Sequence, residues 1–216
     1  MTHPLELQRK NMIAYEQIDN EGNHIIIDGK SQMPDYLSEK FLLEEYQEKI
    51  QAENDILQLK QFESIFSEKF SKKFQKQIIT LAKENLADAQ GDIHICTMGA
   101  AVQHGISLEY FPKHFQDNPF EVSPTDDKVD ILKTVELIQN DLSSKHATSQ
   151  RLHLIWNTII IEAKECGFNI QGIYNAIAEN NLARIDKDEN GKPKRNAQTK
   201  KIMRKDMHPD LKPFIL

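Results

Sequence analysis

The sequence predicts an all-α protein, a helical bundle with one short β-hairpin near residues 20–31. Three observations carry this. Apolar residues recur at helical spacing over most of the 216 positions. Helix breakers are few, 8 Gly and 8 Pro. Hydrophobic residues make up 39% and charged residues 28%, enough to fill a core and to solvate its outside.

The elements follow in order. Leu5, Leu7, Met12, Ile13 and Ile18 give the face of a first helix over 5–18. Gly22 and Gly29 bracket His24-Ile25-Ile26-Ile27, the β element. Pro34-Asp35 opens a long helical stretch carrying Leu37, Phe41, Leu42, Leu43, Tyr46 and Ile50. Residues 51–76 continue as helix with one break, and Phe62, Phe66, Phe70 and Phe74 form a stripe suited to packing. The next helix spans 75–104 and stops at Gly105. Leu108 to Phe115 is a short helix interrupted at Pro112, and 117–127, with Pro119 and Pro124, is the best linker. Helices over 129–142, 150–166 and 170–185 complete the chain before a polar, basic tail.

Residues 99–109 and 161–171 align at an offset of 62, each ending a long helix at a glycine and starting a short one. This suggests two helical halves built alike. The halves are 1–116, with the acidic rows, and 127–216, with the basic tail; the alternative is one integrated domain.

Charge is unevenly placed. Residues 1–183 carry a net −11 and residues 184–206 a net +5, within an overall −6. An acidic body with a basic tail does not suit duplex nucleic acid. It suits carboxylates gathered for metal and a cationic segment near something anionic. Two cysteines, Cys96 and Cys166, exclude a disulfide framework and a four-cysteine zinc site. No apolar stretch approaches a membrane span, and the N-terminus lacks a signal peptide's apolar region, so a cytoplasmic protein is expected.

Two helical stretches place acids on one face. Glu44 and Glu45 both lie one turn from Glu48, and Glu84, Asp88 and Asp92 follow at i, i+4 and i+8. Like charges at this spacing repel by roughly 0.2–0.5 kcal/mol per pair. Flanking Leu86, Ile93 and Ile95 raise that cost unless the acids protonate or meet a cation. Two such rows facing one another suit a hard divalent ion. There is no P-loop, no dinucleotide fingerprint, no zinc-type histidine pair and no nucleophilic triad pattern. Cys96 has no base beside it in sequence.

Three segments resemble the all-α nucleoside triphosphate pyrophosphohydrolases, the MazG-like group related to dimeric dUTPases and phosphoribosyl-ATP pyrophosphohydrolases. Leu42-Leu43-Glu44-Glu45-Tyr46-Gln47-Glu48 is similar to that family's Glu-Glu-x-x-Glu metal motif. Glu84 to Gly105 resembles its second acidic helix, an acidic turn followed by an apolar run ending in Gly. Asn180-Asn181-Leu182-Ala183-Arg184, then Asp188 to Lys192 and Met207 to Leu211, resembles the Asn-x-x-Lys segment and Gly-Lys tail of phage and bacterial members. The three cover most of 40–211, in the family's order. The chain departs from the pattern too. Its second acids stand at 84, 88 and 92, with Ala at 89, rather than as Glu-x-x-Asp. The span between the two acidic motifs is long, and Arg184 stands where Lys is usual. At the offset of 62, His146, Gln150 and Leu154 replace the acids, so the second half does not repeat the metal site.

The resemblance implies a MazG-like bundle and Mg²⁺-dependent cleavage of a nucleoside triphosphate to monophosphate and pyrophosphate, with Mn²⁺ as a substitute. A purine deoxynucleotide such as dGTP or dATP is the first expectation, in nucleotide-pool control. Glu44, Glu45, Glu48, Asp88, Asp92 and Glu84 are the metal candidates, and Glu44 or Glu45 the proton acceptor. Asn181, Arg184, Lys192, Lys194, Lys200 and Lys201 are the substrate candidates. A homo-oligomer, dimer or tetramer, is expected, with no membrane. The competing readings are a helical adaptor whose acidic rows bind a basic partner without need of Mg²⁺, and a phosphoribosyl-ATP pyrophosphohydrolase-like enzyme.

Overall fold

A computed structural model describes residues 2–38, 40–62, 70–122, 127–197 and 201–215. Seven α-helices lie among the described residues: α1 (Pro4–Ala14), α2 (Leu42–Gln61), α3 (Lys72–Gln103), α4 (Lys113–Asp117), α5 (Ile131–Asn140), α6 (Lys145–Glu165) and α7 (Ile170–Ala183). A two-stranded antiparallel sheet, β1 (Ile26–Ile27) and β2 (Lys30–Ser31), pairs Ile26 with Ser31. It falls within the expected hairpin, and Gly29 makes its turn with φ +73°.

Side chains start most of these helices. Ser71, Asp130, Ser144 and Asn169 each accept a hydrogen bond from a backbone N–H of the first turn that follows. Glycines end α3 and α6 in the same way. Gly105 at φ +60° and Gly167 at φ +75° carry the left-handed turn. Ile106 N–H donates to the Ala101 carbonyl at 2.9 Å and Phe168 N–H to the Ala163 carbonyl at 2.8 Å. These partners sit 62 residues apart, which is the offset legible in the sequence. α3 and α6 also pack on one another, and His94 stacks on Trp156, its equivalent at that offset, with ring centroids 3.9 Å apart.

The long helix α3 is the centre of the molecule. It packs against α1, α2, α6 and α7, and α6 in turn packs on α5 and α7. One cluster of buried side chains joins Leu5, Leu42, Ile93, Ile160, Tyr174 and Leu211. Lys49 of α2, only 2% exposed, lies 2.9 Å from both Glu53 and Glu162, tying α2 to α6 through a paired charge.

Several boundaries differ from the expectation. α1 ends at Ala14 because Glu16 takes φ +51° and turns the chain. Residues 36–38, 40 and 41 are turns and bends, not the start of α2. Tyr36 is buried in the core, and its N–H donates to Gln103 Oε1 at 3.2 Å, so tertiary contacts replace the helical bond. The phenylalanine stripe is not core where it is described: Phe62, Phe70 and Phe74 are exposed, Phe70 and Phe74 meeting one another with tilted rings 5.2 Å apart between centroids, α2 ends before Phe62, and Phe66 lies outside the described residues. The start of the proposed linker is anchored, since Trp156 Nε1 donates to the Pro119 carbonyl and Phe120 packs on Trp156 and Tyr174.

Two glycines within α3 set distances that matter for the site. At Gly91 a β-carbon would collide with Ile173 and Ile177, so glycine lets α7 seat directly on α3. At Gly99 a β-carbon would lie 2.5–2.7 Å from three atoms of the Tyr36 ring. Gly99→Ala is therefore expected to destabilise the protein by about 1–3 kcal/mol, the usual cost of overpacking. Urea unfolding checks this, and an unchanged midpoint contradicts it.

Candidate functional site

The acidic rows of α2 and α3 face each other. Asp92 feels the charges of Glu45, Asp88 and Glu48, and Glu45 feels Glu48, Asp88 and Glu44. Burial is the first cause of the resulting shifts and like charge the second. Asp92 is pushed well above the usual carboxylate range, and Glu45 is pushed up to about 7. Asp88 and Glu48 are also raised, burial again leading. Arg184, at the end of α7, opposes this for Asp88 and Asp92, and His208 opposes it for Asp88. Close seating of α7 at Gly91 is what brings that arginine near.

Glu45 and Asp92 line a cavity of about 660 Å³, a size typical of small-molecule sites. Its walls combine three sources. α1 contributes Gln8 and Asn11 and its C-cap Tyr15, and the turn segment contributes Tyr36 and Phe41. Asn181, Arg184, Lys201 and Arg204 supply amide and cationic groups. Arg204 stacks on the Tyr15 ring, 4.9 Å from its centroid, and Tyr15 donates its hydroxyl hydrogen to the Asn181 carbonyl.

The basic tail reaches the cavity because it is folded. Antiparallel bridges pair Ile185 with Arg204, Lys187 with Pro193 and Arg195 with Ile202. Met203 N–H donates to the Lys194 carbonyl and Lys205 N–H to the Arg184 carbonyl. Arg195 is paired with Glu16 and with Gln32, which pins this clasp to the first third of the chain. A cationic clasp thus closes over an anionic floor.

The expected residues divide accordingly. Glu45, Asp92, Asn181, Arg184 and Lys201 line the cavity. Glu48 and Asp88 lie within electrostatic reach of its floor, and Glu44 is exposed beside Glu45. Glu84 turns to Lys212, 3.8 Å away. Lys192 sits exposed in the clasp, where its N–H donates to Asp188, and Lys194 pairs with Asp186 at 3.3 Å. Lys200 lies outside the described residues. Sequence reasoning missed Gln8, Asn11, Tyr15, Tyr36 and Arg204. A signal existed for two of them: Gln8 and Asn11 sit on the same helix face as Leu5 and Met12, where apolar residues were due.

Among the described residues, no three acidic, histidine or cysteine side chains converge into a ready cation cage. The donors nonetheless fit a hard divalent ion in kind, being oxygens whose negative charge the fold leaves poorly compensated. Cys96 also lines the cavity, but burial pushes its thiol far up, followed by the charges of Asp92 and Glu45, so it stays protonated and poorly nucleophilic.

The raised acids have a consequence for stability. An acid whose folded value lies above its ordinary one stabilises the fold fully below the ordinary value and loses that contribution as pH rises. For Glu45 the window runs from 4.5 to about 7. Buried His94, lowered from 6.5 to about 3, acts in the opposite sense, disfavouring the fold as pH falls below 6.5. Comparing metal-free Glu45→Gln with wild type isolates the acid. The melting-temperature gap in favour of the variant is expected to widen across Glu45's window, and a gap independent of pH contradicts the assignment.

No helix among the described residues is long and apolar enough to cross a membrane. No family model, curated protein or solved structure matches the chain.

Proposed function

We propose that the chain is an Mg²⁺-dependent nucleoside triphosphate pyrophosphohydrolase that releases a monophosphate and pyrophosphate. One observation carries the reading: the half-buried carboxylates Glu45 and Asp92, both raised by burial and like charge, share a cavity with Arg184, Lys201 and Arg204. A folded protein tolerates buried like charges where function requires them. A site with carboxylates on one side and cations on another suits a polyanion that arrives with a metal.

Glu48, Asp88 and Asp92 would hold the cation, with Glu45 beside them. Bound there, Mg²⁺ supplies charge neutralisation for the triphosphate and acidifies water. Arg184, Lys201 and Arg204 bind phosphate oxygens, with the guanidinium groups fitted for bidentate contact. Asn181, at the end of α7, donates its side-chain amide to the same oxygens. Glu45 takes the proton from the attacking water, and a value pushed up to about 7 suits that task near neutral pH.

Self-association belongs to the same reading. Leu57, Phe62, Phe70, Phe74, Ile79 and Leu81 are exposed apolar side chains near the ends of α2 and α3 away from the site. They are the side chains we propose for the contact surface of a dimer or tetramer.

The test is product analysis across the common ribo- and deoxynucleoside triphosphates with Mg²⁺, wild type beside Glu48→Ala. Monophosphate plus pyrophosphate, lost in the variant, supports the proposal. Diphosphate plus phosphate, or no turnover with either Mg²⁺ or Mn²⁺, overturns it, and binding of a basic protein without metal then favours the adaptor.

A further inference from the structure

A second cavity lies apart from the carboxylates, and its walls are cationic. Residues 70–83, at the start of α3, carry lysines at 72, 73, 76 and 83 and no acid, in a chain of net −6. Lys72, Lys76 and Lys83 fall within about 40° of one another around the helix. They line a groove of about 590 Å³ together with Ile79 and, from the end of the chain, Lys212 and Ile215. The groove shares no lining residue with the cavity of Glu45 and Asp92. Its far wall is built into the fold. Lys212–Phe214 is a 3₁₀ turn that follows buried Leu211. Asn169 N–H donates to the Phe214 carbonyl at 2.9 Å, and Phe168 bridges to Ile215. At Gly172 a β-carbon would lie 2.3–3.0 Å from three atoms of the Phe214 ring, so glycine admits that ring against α7. Lys212 and Ile215 are thereby held across the groove from α3.

We propose that this groove binds a small molecule carrying two or more phosphate groups in a row, at a site separate from the carboxylate cavity. The cations there are poorly compensated. Lys72 and Lys76 stand one turn apart, where like charges repel, and neither forms an ion pair among the described residues. Lys212 reaches Glu84 at 3.8 Å, the outer limit of an ion pair. Lys72 and Lys83 are about 16 Å apart along the helix axis with Lys76 between them, so one phosphate does not meet them all and a chain of phosphates does. Ammonium groups on flexible stems serve phosphate oxygens as point charges. A phosphate brings more charge per group than a carboxylate, which favours it over an acidic peptide. Ile79 and Ile215 add apolar surface for an attached organic group. Of the exposed apolar side chains assigned to self-association, Ile79 alone borders the groove, and Phe74 and Leu81 lie on the opposite side of α3. The assignment is independent of the pyrophosphohydrolase reading.

Calorimetric titration tests it with pyrophosphate, inorganic triphosphate and ATP, all with a chelator present so that no metal occupies the carboxylates. Wild type is compared with the double variant Lys72→Gln/Lys76→Gln, whose two positions are exposed, and with Arg184→Ala in the other cavity. Wild type is expected to bind inorganic triphosphate more tightly than pyrophosphate, and less tightly as salt is raised. Arg184→Ala is expected to keep that affinity within about twofold, and the lysine variant to lose at least about tenfold. ATP bound more tightly than inorganic triphosphate assigns the site to a nucleotide, and equal affinity assigns it to an inorganic phosphate chain. No binding by wild type, undiminished binding by the lysine variant, or loss only in Arg184→Ala overturns the proposal. So does tighter binding of a glutamate-rich peptide than of inorganic triphosphate, which would make the groove a protein contact. None of these results bears on cleavage at the carboxylates, which product analysis with Mg²⁺ reads separately.

Discussion

Replacing Asp92 by Asn is expected to abolish turnover and, in the same protein, to raise the melting temperature of the metal-free form. Both effects come from one cause. Asp92 lies deepest among the acids, raised first by burial and then by Glu45, Asp88 and Glu48. Asparagine keeps its size and removes the charge that burial penalises. About 1 kcal/mol is worth roughly 2–4 °C in a chain of this length, so a gain of a few degrees is expected. The same substitution removes a carboxylate proposed to hold the cation and should lower kcat by about 10³-fold or more. Melting in the presence of a chelator and steady-state assays with Mg²⁺ read the two effects separately. An unchanged kcat, or a lower melting temperature, contradicts the role given to Asp92.

Removing Arg184 is expected to do the opposite to stability and similar damage to activity. Its charge favours the ionised forms of Asp88 and Asp92, and its Nε–H donates to the Lys205 carbonyl at 3.4 Å, which helps hold the clasp. Arg184→Ala leaves both acids less compensated and should lower the melting temperature of the metal-free protein. It also removes a donor fork from the wall proposed to bind phosphate, so kcat/KM should fall by about 10²–10³-fold, with KM rising. Arg184→Lys restores charge without the planar fork and should recover only part of the loss. If Arg184→Ala retained wild-type KM and kcat, Arg184 would be a structural cap on α7 and no part of the site.

The helices were legible because their signal is local. Apolar spacing marks α3, α6 and α7, and the stopping glycines Gly105 and Gly167 mark the ends of α3 and α6. Pro34 to Phe41 was misread because its apolar spacing imitates a helix. Tyr36 is buried there for another reason, to fill the space left by Gly99, and no local pattern records that. The phenylalanine spacing failed for the converse reason, since α2 ends at Gln61, before Phe62, and α3 begins at Lys72, after Phe70.

The site was legible in part. Rows at i and i+4 identify the acids, but only the packing of α2 on α3 decides that Glu45 and Asp92 reach the cavity while Glu84 meets Lys212. Basic residues of the tail look alike in sequence, and the bridges of the clasp sort Lys201 and Arg204 toward the cavity from Lys192 and Lys194 away from it. Gln8 and Asn11 become informative once burial and the absence of partners are known together.

The central claim is that the α2 and α3 carboxylates hold a divalent cation for a bound triphosphate. Mn²⁺ binding, followed by electron paramagnetic resonance with a non-hydrolysable α,β-imido nucleoside triphosphate present, tests it most directly. Wild type is expected to bind the ion and Asp92→Asn to lose it, with Asn11→Ala still binding. Equal Mn²⁺ binding by wild type and Asp92→Asn, or none by wild type, would contradict the account.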